Sequence, residues 1–331
     1  MGRYVLRRSG QMLVTLVLVS ILGFVIIQLP PGDYLTLLQA QMQDQRMTPE
    51  QIEAALATLQ GAYGLDKPIY VQYWLWISNL LRGNLGYSLA LGREVGTLLN
   101  ERLALTVAIS LVSIAFSLSL ALPIGVLSAV KQYSWSDYLF TLLAFLGVAV
   151  PDMLLALVLM FVAVVFLGAS SIGGLFSAEY ITAPWSIAKV IDLAKHIWLP
   201  IIIVGLSSTA GTIRVVRARM LDTLGEPFIQ TARMKGLDES RIITRHALRV
   251  VLNPVVSGLG MSLPGIISGE TITALVIGLP TVGPLMLTAL FAEDLYMAGS
   301  ILVILTAGLV VGNFLADLGL AWLDPRIRLV D

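Results

Sequence analysis

Six stretches of this chain are apolar for roughly 20 residues or more: about 9–29, 103–130, 138–167, 197–221, 250–279 and 298–322. An α-helix of that length crosses about 30 Å of hydrocarbon at about 1.5 Å per residue. Within lipid, every backbone N–H and C=O must find its partner inside the chain, which a helix achieves unaided. The pattern therefore predicts an all-α membrane protein with six transmembrane helices. Composition agrees: 13% of the 331 residues are charged, about half the ~25% of a soluble domain. Several runs exceed the minimum length, so tilts or extensions past the bilayer are expected. Pro123, Pro151, Pro200, Pro254 and Pro264 lie in or beside the runs, where proline is tolerated as a kink.

Arg3, Arg7 and Arg8 precede the first run. That run is too long for the apolar core of a signal peptide, and no A-x-A-like cleavage site follows it. It reads as a retained helix with a cytoplasmic N-terminus. Six crossings return the C-terminus to the cytoplasm. The basic residues fit: 14 fall on predicted cytoplasmic parts and seven on outer parts, five of those between the first and second apolar runs (Arg46, Lys67, Arg82, Arg93 and Arg102), and long loops weigh little in this rule. The expected organisation is residues 1–30 as N-terminus and first helix, 31–101 as a helical extracytoplasmic loop, 102–322 as helices two to six with a cytoplasmic loop at 222–249, and 323–331 as a cytoplasmic tail.

Pro30-Pro31-Gly32 ends the first helix. In the outer loop, Thr48-Pro49-Glu50-Gln51 predicts a helix start with Thr48 as N-cap and Gln51 closing a capping box. A second amphipathic piece runs from Pro68 to about Leu81 with Tyr70, Tyr73, Trp74 and Trp76. Such aromatics suit either the membrane interface or a small packed subdomain.

The chain carries no machinery for covalent chemistry. It has no cysteine, and its two histidines, His196 and His246, are far apart in sequence, so no metal or cofactor is expected. Zero net charge gives no reason to expect nucleic acid. None of the five lysines (67, 131, 189, 195 and 235) precedes Ser or Thr, which excludes a P-loop. No catalytic motif is present, so transport energy must come from outside the chain or from ion coupling. Ion coupling needs several buried ionisable groups, and the candidates are Asp152, Asp317 and Glu270, of which only Glu270 lies deep within a run. Glu270 is expected to line an outer gate or to hold the bundle to residues 280–297. Asp152, directly after Pro151, is the second candidate for the translocation path.

The densest charge lies between Arg214 and Arg249, with eight Lys/Arg and four Asp/Glu. Within it, Pro227 suits the first position of a helix and Gly236 the left-handed position just past its end. The enclosed Phe228–Lys235 helix is too short to stand alone in water. Phe228, Ile229, Ala232 and Met234 cover more than one face. It must pack on its own bundle, on a partner, or on both. Asp238 suits the N-cap of a following helix bearing Arg241, Arg245, His246 and Arg249.

The segment EPFIQTARMKGLDESRIITRHAL resembles the cytoplasmic "EAA" loop of binding-protein-dependent ABC importers, in the form used by the dipeptide/oligopeptide permease family. RYVLRR at the N-terminus, PGD at 31–33, YGLDKPIYVQYWLWISNLLRGNLGYSL at 63–89, ETITALVIGLPTVG at 270–283 and LDPRIRL at 323–329 fit that family in order. The likeness covers nearly the whole chain. It implies a type I ABC importer permease fold in the inner membrane of a prokaryote. It further implies a second homologous permease subunit, two ATP-binding cassette subunits and an extracytoplasmic substrate-binding protein. The short helix would be the coupling helix that docks in a groove on the ATPase. On that likeness, the ATPase-coupling residues are Glu226, Phe228, Ile229, Thr231, Ala232, Lys235, Gly236, Arg245 and His246. Gly236 takes the place of the motif's invariant glycine and Ala232 that of its second alanine. Gln230 stands where the broader consensus has Glu, and Thr231 where it has Ala. The Ile-x-Leu-Pro ending is replaced by His246-Ala247-Leu248-Arg249, and Val250 stands where close relatives often have Asn. The implied cargo is a dipeptide or oligopeptide. Oligosaccharides, nickel and opine-like solutes are served by the same architecture, and an ion-coupled carrier is the reading from a different class.

Overall fold

A computed structural model describes residues 2–28, 38–39, 42–44, 47–63, 66–88, 90–166, 168, 173–269 and 271–323. Helix α1 spans Gly2–Gln28, α2 Pro49–Tyr63 and α3 Ile69–Leu81. A two-stranded hairpin, β1 Tyr87–Ser88 and β2 Arg93–Glu94, leads into α4, Val95–Val130. Then come α5 Trp135–Ala149, α6 Asp152–Val165, α7 Ile187–His196 and α8 Trp198–Leu224. After them follow α9 Pro227–Met234, α10 Glu239–Arg241, a π-helical turn at Ile242–Ala247 and α11 Leu248–Gly269. The chain ends in α12 Thr271–Ile277, α13 Val282–Phe291 and α14 Leu295–Leu323.

Among the described residues, α1, α4, α8 and α14 are each long and apolar enough to cross a membrane, and α5 with α6 and α12 with α13 pass the same test as broken pairs. The expected span 138–167 is not one rod: α5 and α6 meet at 106°. The cause is Pro151. It offers no N–H to continue the ladder, and its ring drives Val150 to extended backbone at φ −85°, ψ 122°. The expected span 250–279 is occupied by α11 and α12. Pro30-Pro31-Gly32 and the 324–331 tail lie outside the described residues, as does Glu270.

The chain divides into two compact units. One comprises Leu6–Ala104 and Thr281–Gly308. In it α2 opens on the expected capping box: the Thr48 N–H donates to Gln51 Oε1 (3.1 Å) and the Gln51 N–H to Thr48 Oγ1 (3.4 Å). The α3 aromatics divide between both readings. Tyr73 and Trp76 pack on Phe24 of α1, while Tyr70 and Trp74 face outward. The core joins Val95, Leu98 and Leu99 to Val282, Leu285, Met297 and Ile301. Asp294, buried beside it, accepts from Ser88 Oγ at 2.7 Å and from the Ala90 N–H at 3.1 Å.

The other unit, Met1–Val5, Leu105–Pro280 and Leu309–Asp331, is built around α8. Helices α5, α6 and α11 pack along it. A side chain at Gly205 of α8 would collide with the Phe116 ring, so glycine there permits the close approach of α4. Two apolar clusters lie toward the two ends of α8. Leu199 and Ile203 join Ile109, Ala156, Leu175, Ala274 and Ile277 at its start. Val216 and Met220 join Ala129, Ile229, Ala232, Ile242, Ala247, Val251 and Val255 at its finish. With 27 residues, α8 places these ends about 40 Å apart at ~1.5 Å per residue.

Candidate functional site

Helix α8 stops at Leu224, and Pro227 opens α9 two residues beyond Gly225. Thr231 Oγ1 bonds back to the Pro227 carbonyl at 2.9 Å. The helix closes where Gly236 turns to φ +73°, a conformation glycine adopts without steric cost. There the Leu237 N–H reaches the Ala232 carbonyl at 3.3 Å and the Gly236 N–H the Arg233 carbonyl at 2.9 Å, satisfying carbonyls the helix end would leave bare. Asp238 caps α10, accepting from the Ser240 N–H at 3.0 Å. The start and stop signals at Pro227, Gly236 and Asp238 all sit where the sequence places them.

The short helix is seated by one face. Ile229 and Ala232 are buried in the cluster at the finish of α8, on Val216, Met220, Ile242 and Ala247. The opposite face is open: Phe228 is 44% and Met234 81% exposed. Glu226, Thr231, Lys235 and Gly236 are also exposed. Phe228 and Met234 thus leave apolar surface open on the side of the helix turned away from its seat. Arg245 is exposed and His246 half-buried, both on the π-helical turn. The residues from Glu226 to Gly236 thus form one ledge. Asp152 is not on it: it opens α6 beyond the bend, half-buried, and α6 packs on α8 and α12.

Two ion pairs brace the ledge. Arg233 Nη2 lies 2.6 Å and Nε 3.1 Å from the Glu239 carboxylate, tying the last turn of α9 to α10. The Arg233 guanidinium holds the Glu239 carboxyl below the usual carboxylate range, chiefly through these hydrogen bonds, and is itself raised in return. The second pair has no counterpart in the sequence reading. Asp137, 2% exposed, accepts from Arg217 Nε at 2.7 Å and Nη2 at 2.8 Å. It also accepts from the Tyr133 N–H at 3.0 Å and from Thr141 Oγ1 at 3.3 Å. The turn between α4 and α5 is thereby clamped to α8 at Arg217, between Val216 and Met220 of the cluster that seats α9. Ser134 caps α5, its Oγ taking the Asp137 N–H at 3.3 Å. Nothing local points to a partner 80 residues away.

Comparison with known proteins bears on both the ledge and the bundle. Residues 121–329 match the model of the family described as binding-protein-dependent transport system inner membrane component. Residues 1–111 match the model for the N-terminal part of such membrane components. The chain is 35% identical to the oligopeptide transport system permease protein AppB of Bacillus subtilis over 331 residues, covering 99% of this chain and 100% of that one. It is 30% identical to OppB, an oligopeptide transport system permease protein of Haemophilus influenzae, over 329 residues and 99% and 100% of the two chains. It is 30% identical to DppB, a dipeptide transport system permease protein of Escherichia coli K12, over 344 residues and 99% of each. The all-α, membrane-spanning architecture is that of a type I ABC permease. The chain belongs to the binding-protein-dependent transport system inner membrane component family and is a multi-pass permease of ABC transporters.

Proposed function

We propose that this chain is one of two homologous permease subunits of an ATP-driven importer for oligopeptides or dipeptides, and that α9 receives the stroke of the ATPase. A binding protein outside the membrane delivers the peptide, and two ATP-binding cassette subunits attach at the α9 end. That end is cytoplasmic, with both chain termini, and residues 31–101 lie outside. Peptide as cargo is supported by relatives named for oligopeptide, di/tripeptide and dipeptide systems.

The observation that carries the reading is the division of α9 into a seated face and an open one. Phe228, Thr231, Met234 and Lys235 are the surface offered to the ATPase groove. Ile229 and Ala232 pass its displacement to the bundle because they are packed between α8 and the π-helical turn. A rigid seat matters: a push on a loose loop would be lost in the loop. The Arg217–Asp137 clamp extends the rigid body to the α4–α5 turn. Spans two to six then rock together between inward- and outward-facing states. Glu270 and Asp152 are proposed for the gate or translocation path, and Glu270→Gln at wild-type uptake and ATPase stimulation would remove Glu270 from that role.

The test is deletion of Phe228–Lys235 in the full complex. The expected result is normal membrane insertion and loss of the co-purifying ATPase. A functional unit that purifies with no ATPase attached would overturn the importer reading. The cargo is read from the ligand carried by the cognate binding protein.

A further inference from the structure

Helix α7, between α6 and α8, is packed inside out for a helix in water. Ile187, Val190, Ile191 and Ala194 recur at helical spacing on one face, and that face is open: Ile187 is 82% exposed and Val190 and Ile191 52% each. The opposite face carries Lys189, Asp192 and His196, and there Lys189 is 6% and Asp192 7% exposed. Trp185 and Ile181, just upstream, are also exposed.

The buried charges are fully engaged. Lys189 Nζ donates to the Ala183 carbonyl at 2.6 Å. It also sits 4.8 Å from the Phe176 ring centroid and 5.4 Å from that of Trp185. Asp192 accepts from both the N–H and the hydroxyl of Ser177 at 2.7 Å, with His196 Nδ1 3.7 Å away. Leu193 packs into the cluster at the start of α8. Polar groups folded inward and satisfied within the chain, with aliphatic groups turned outward, is the arrangement a lipid environment demands.

We propose that α7 lies in the membrane interface, its Ile187–Val190–Ile191 face against acyl chains of the leaflet at the end of α8 remote from α9. Continuity with the spans favours lipid over a protein partner as the occupant. A single residue, Ile197, separates α7 from α8, so the helix is held at the level where a span begins. Along the chain, the same outward apolar character runs through Phe161, Val165 and Phe166 of the preceding span and resumes at Trp198. Trp185 supplies the amphipathic ring favoured at headgroup depth. Lys195, exposed at the C-terminal end of the helix, can lay its stem along the apolar face and keep its ammonium in the headgroups.

The absence of cysteine from the sequence makes a direct test clean. Ile187→Cys, Ile191→Cys and, as an aqueous reference in the turn between α4 and α5, the exposed Gln132→Cys are each spin-labelled in the full chain. Each is reconstituted with its co-purifying subunits in phosphatidylethanolamine–phosphatidylglycerol vesicles. Collision with oxygen, which partitions into lipid, is compared with collision with a water-soluble nickel chelate. The expected result is a several-fold excess of oxygen over nickel accessibility at 187 and 191. Nickel accessibility at those sites equal to a freely solvated label would overturn the proposal. Low accessibility to both reagents would overturn it too, because it would mean a protein subunit covers the face. Neither outcome touches the role proposed for α9, which is read from ATPase attachment.

Discussion

Helices α7 and α9 sit toward opposite ends of α8, are nearly equal in length, and are packed by opposite rules. The α9 helix turns aliphatic side chains inward, onto Ile242 and Ala247, and shows a mixed face of Phe228, Thr231, Met234 and Lys235. The α7 helix turns Lys189 and Asp192 inward and shows isoleucine and valine. Neither is stable alone at eight or ten residues, so each reports the medium on both of its sides. The difference teaches that which face of an amphipathic helix goes inward is decided by what lies outside it. On the readings proposed above, one end faces an aqueous compartment holding a partner and the other faces lipid.

The sharpest way to break this contrast is Ile229→Asp. A carboxylate in the α9 seat loses its hydration with no cation to receive it, so the helix should leave the bundle. ATP-driven peptide uptake is expected to fall at least about 100-fold, matching a loss of ~3 kcal/mol or more, with membrane insertion unchanged. Uptake near wild type would show that α9 is not seated through Ile229. Next in size, Asp137→Asn leaves Arg217 with a weakened partner and is expected to cost about 1–3 kcal/mol, read as a lower melting temperature in detergent and fewer peptides moved per ATP. Phe228→Ala acts only on the open face. It should weaken ATPase attachment roughly tenfold, as for a modest interface anchor, while leaving the chain's own melting temperature alone; a fall in melting temperature instead would place Phe228 in the fold.

The remaining two effects are smaller. The Ser177 hydroxyl and amide hold the Asp192 carboxyl below its ordinary range. Its contribution is therefore present in full above the unfolded carboxylate pKa of about 4 and is lost only as pH falls through the lower folded value. Hydrogen-exchange protection of residues 186–196 should stay flat from pH 8 to about 5 and decline below about 4. Decline already near neutrality would show that Asp192 does not carry the dependence. Least of all, Arg233→Ala removes a half-exposed ion pair that solvent screens, so less than about 1 kcal/mol is expected, at the edge of detection by thermal melting.

Much of the α9 end was legible because its signals are local. Pro227, Gly236 and Asp238 fix helix ends through backbone geometry that each residue imposes on itself, as does the Thr48–Gln51 box. The long spans were legible because length and apolarity suffice in lipid. What escaped depends on distant partners. A proline in an apolar run predicts a kink, but the residue type alone does not give the 106° by which α5 and α6 diverge at Pro151. The Asp137–Arg217 clamp joins two unremarkable positions. No helix was expected over residues 187–196, because charges alternating with aliphatics between two spans look like an ordinary polar connection until Ser177 and Phe176 are folded under them. Glu270, singled out by its depth in an apolar run, lies outside the described residues.

The π-helical turn at Ile242–Ala247 works as a vernier. Along the inward edge of this strut the buried residues are Ile242, Ala247, Val251 and Val255, so the interval between the first two is five residues and thereafter four. An α-helix advances by about 100° per residue, and an extra residue in a regular helix would rotate everything beyond it off the bundle. Here the wide turn absorbs that residue between the ledge and α11, and both keep their inward faces. Removing one residue within the turn would restore regular winding without disturbing either neighbour, whereas removing one from α9 or from early α11 would swing a buried face into the open. The chain can therefore lose one residue at this joint with both buried faces kept, and at neither side of it.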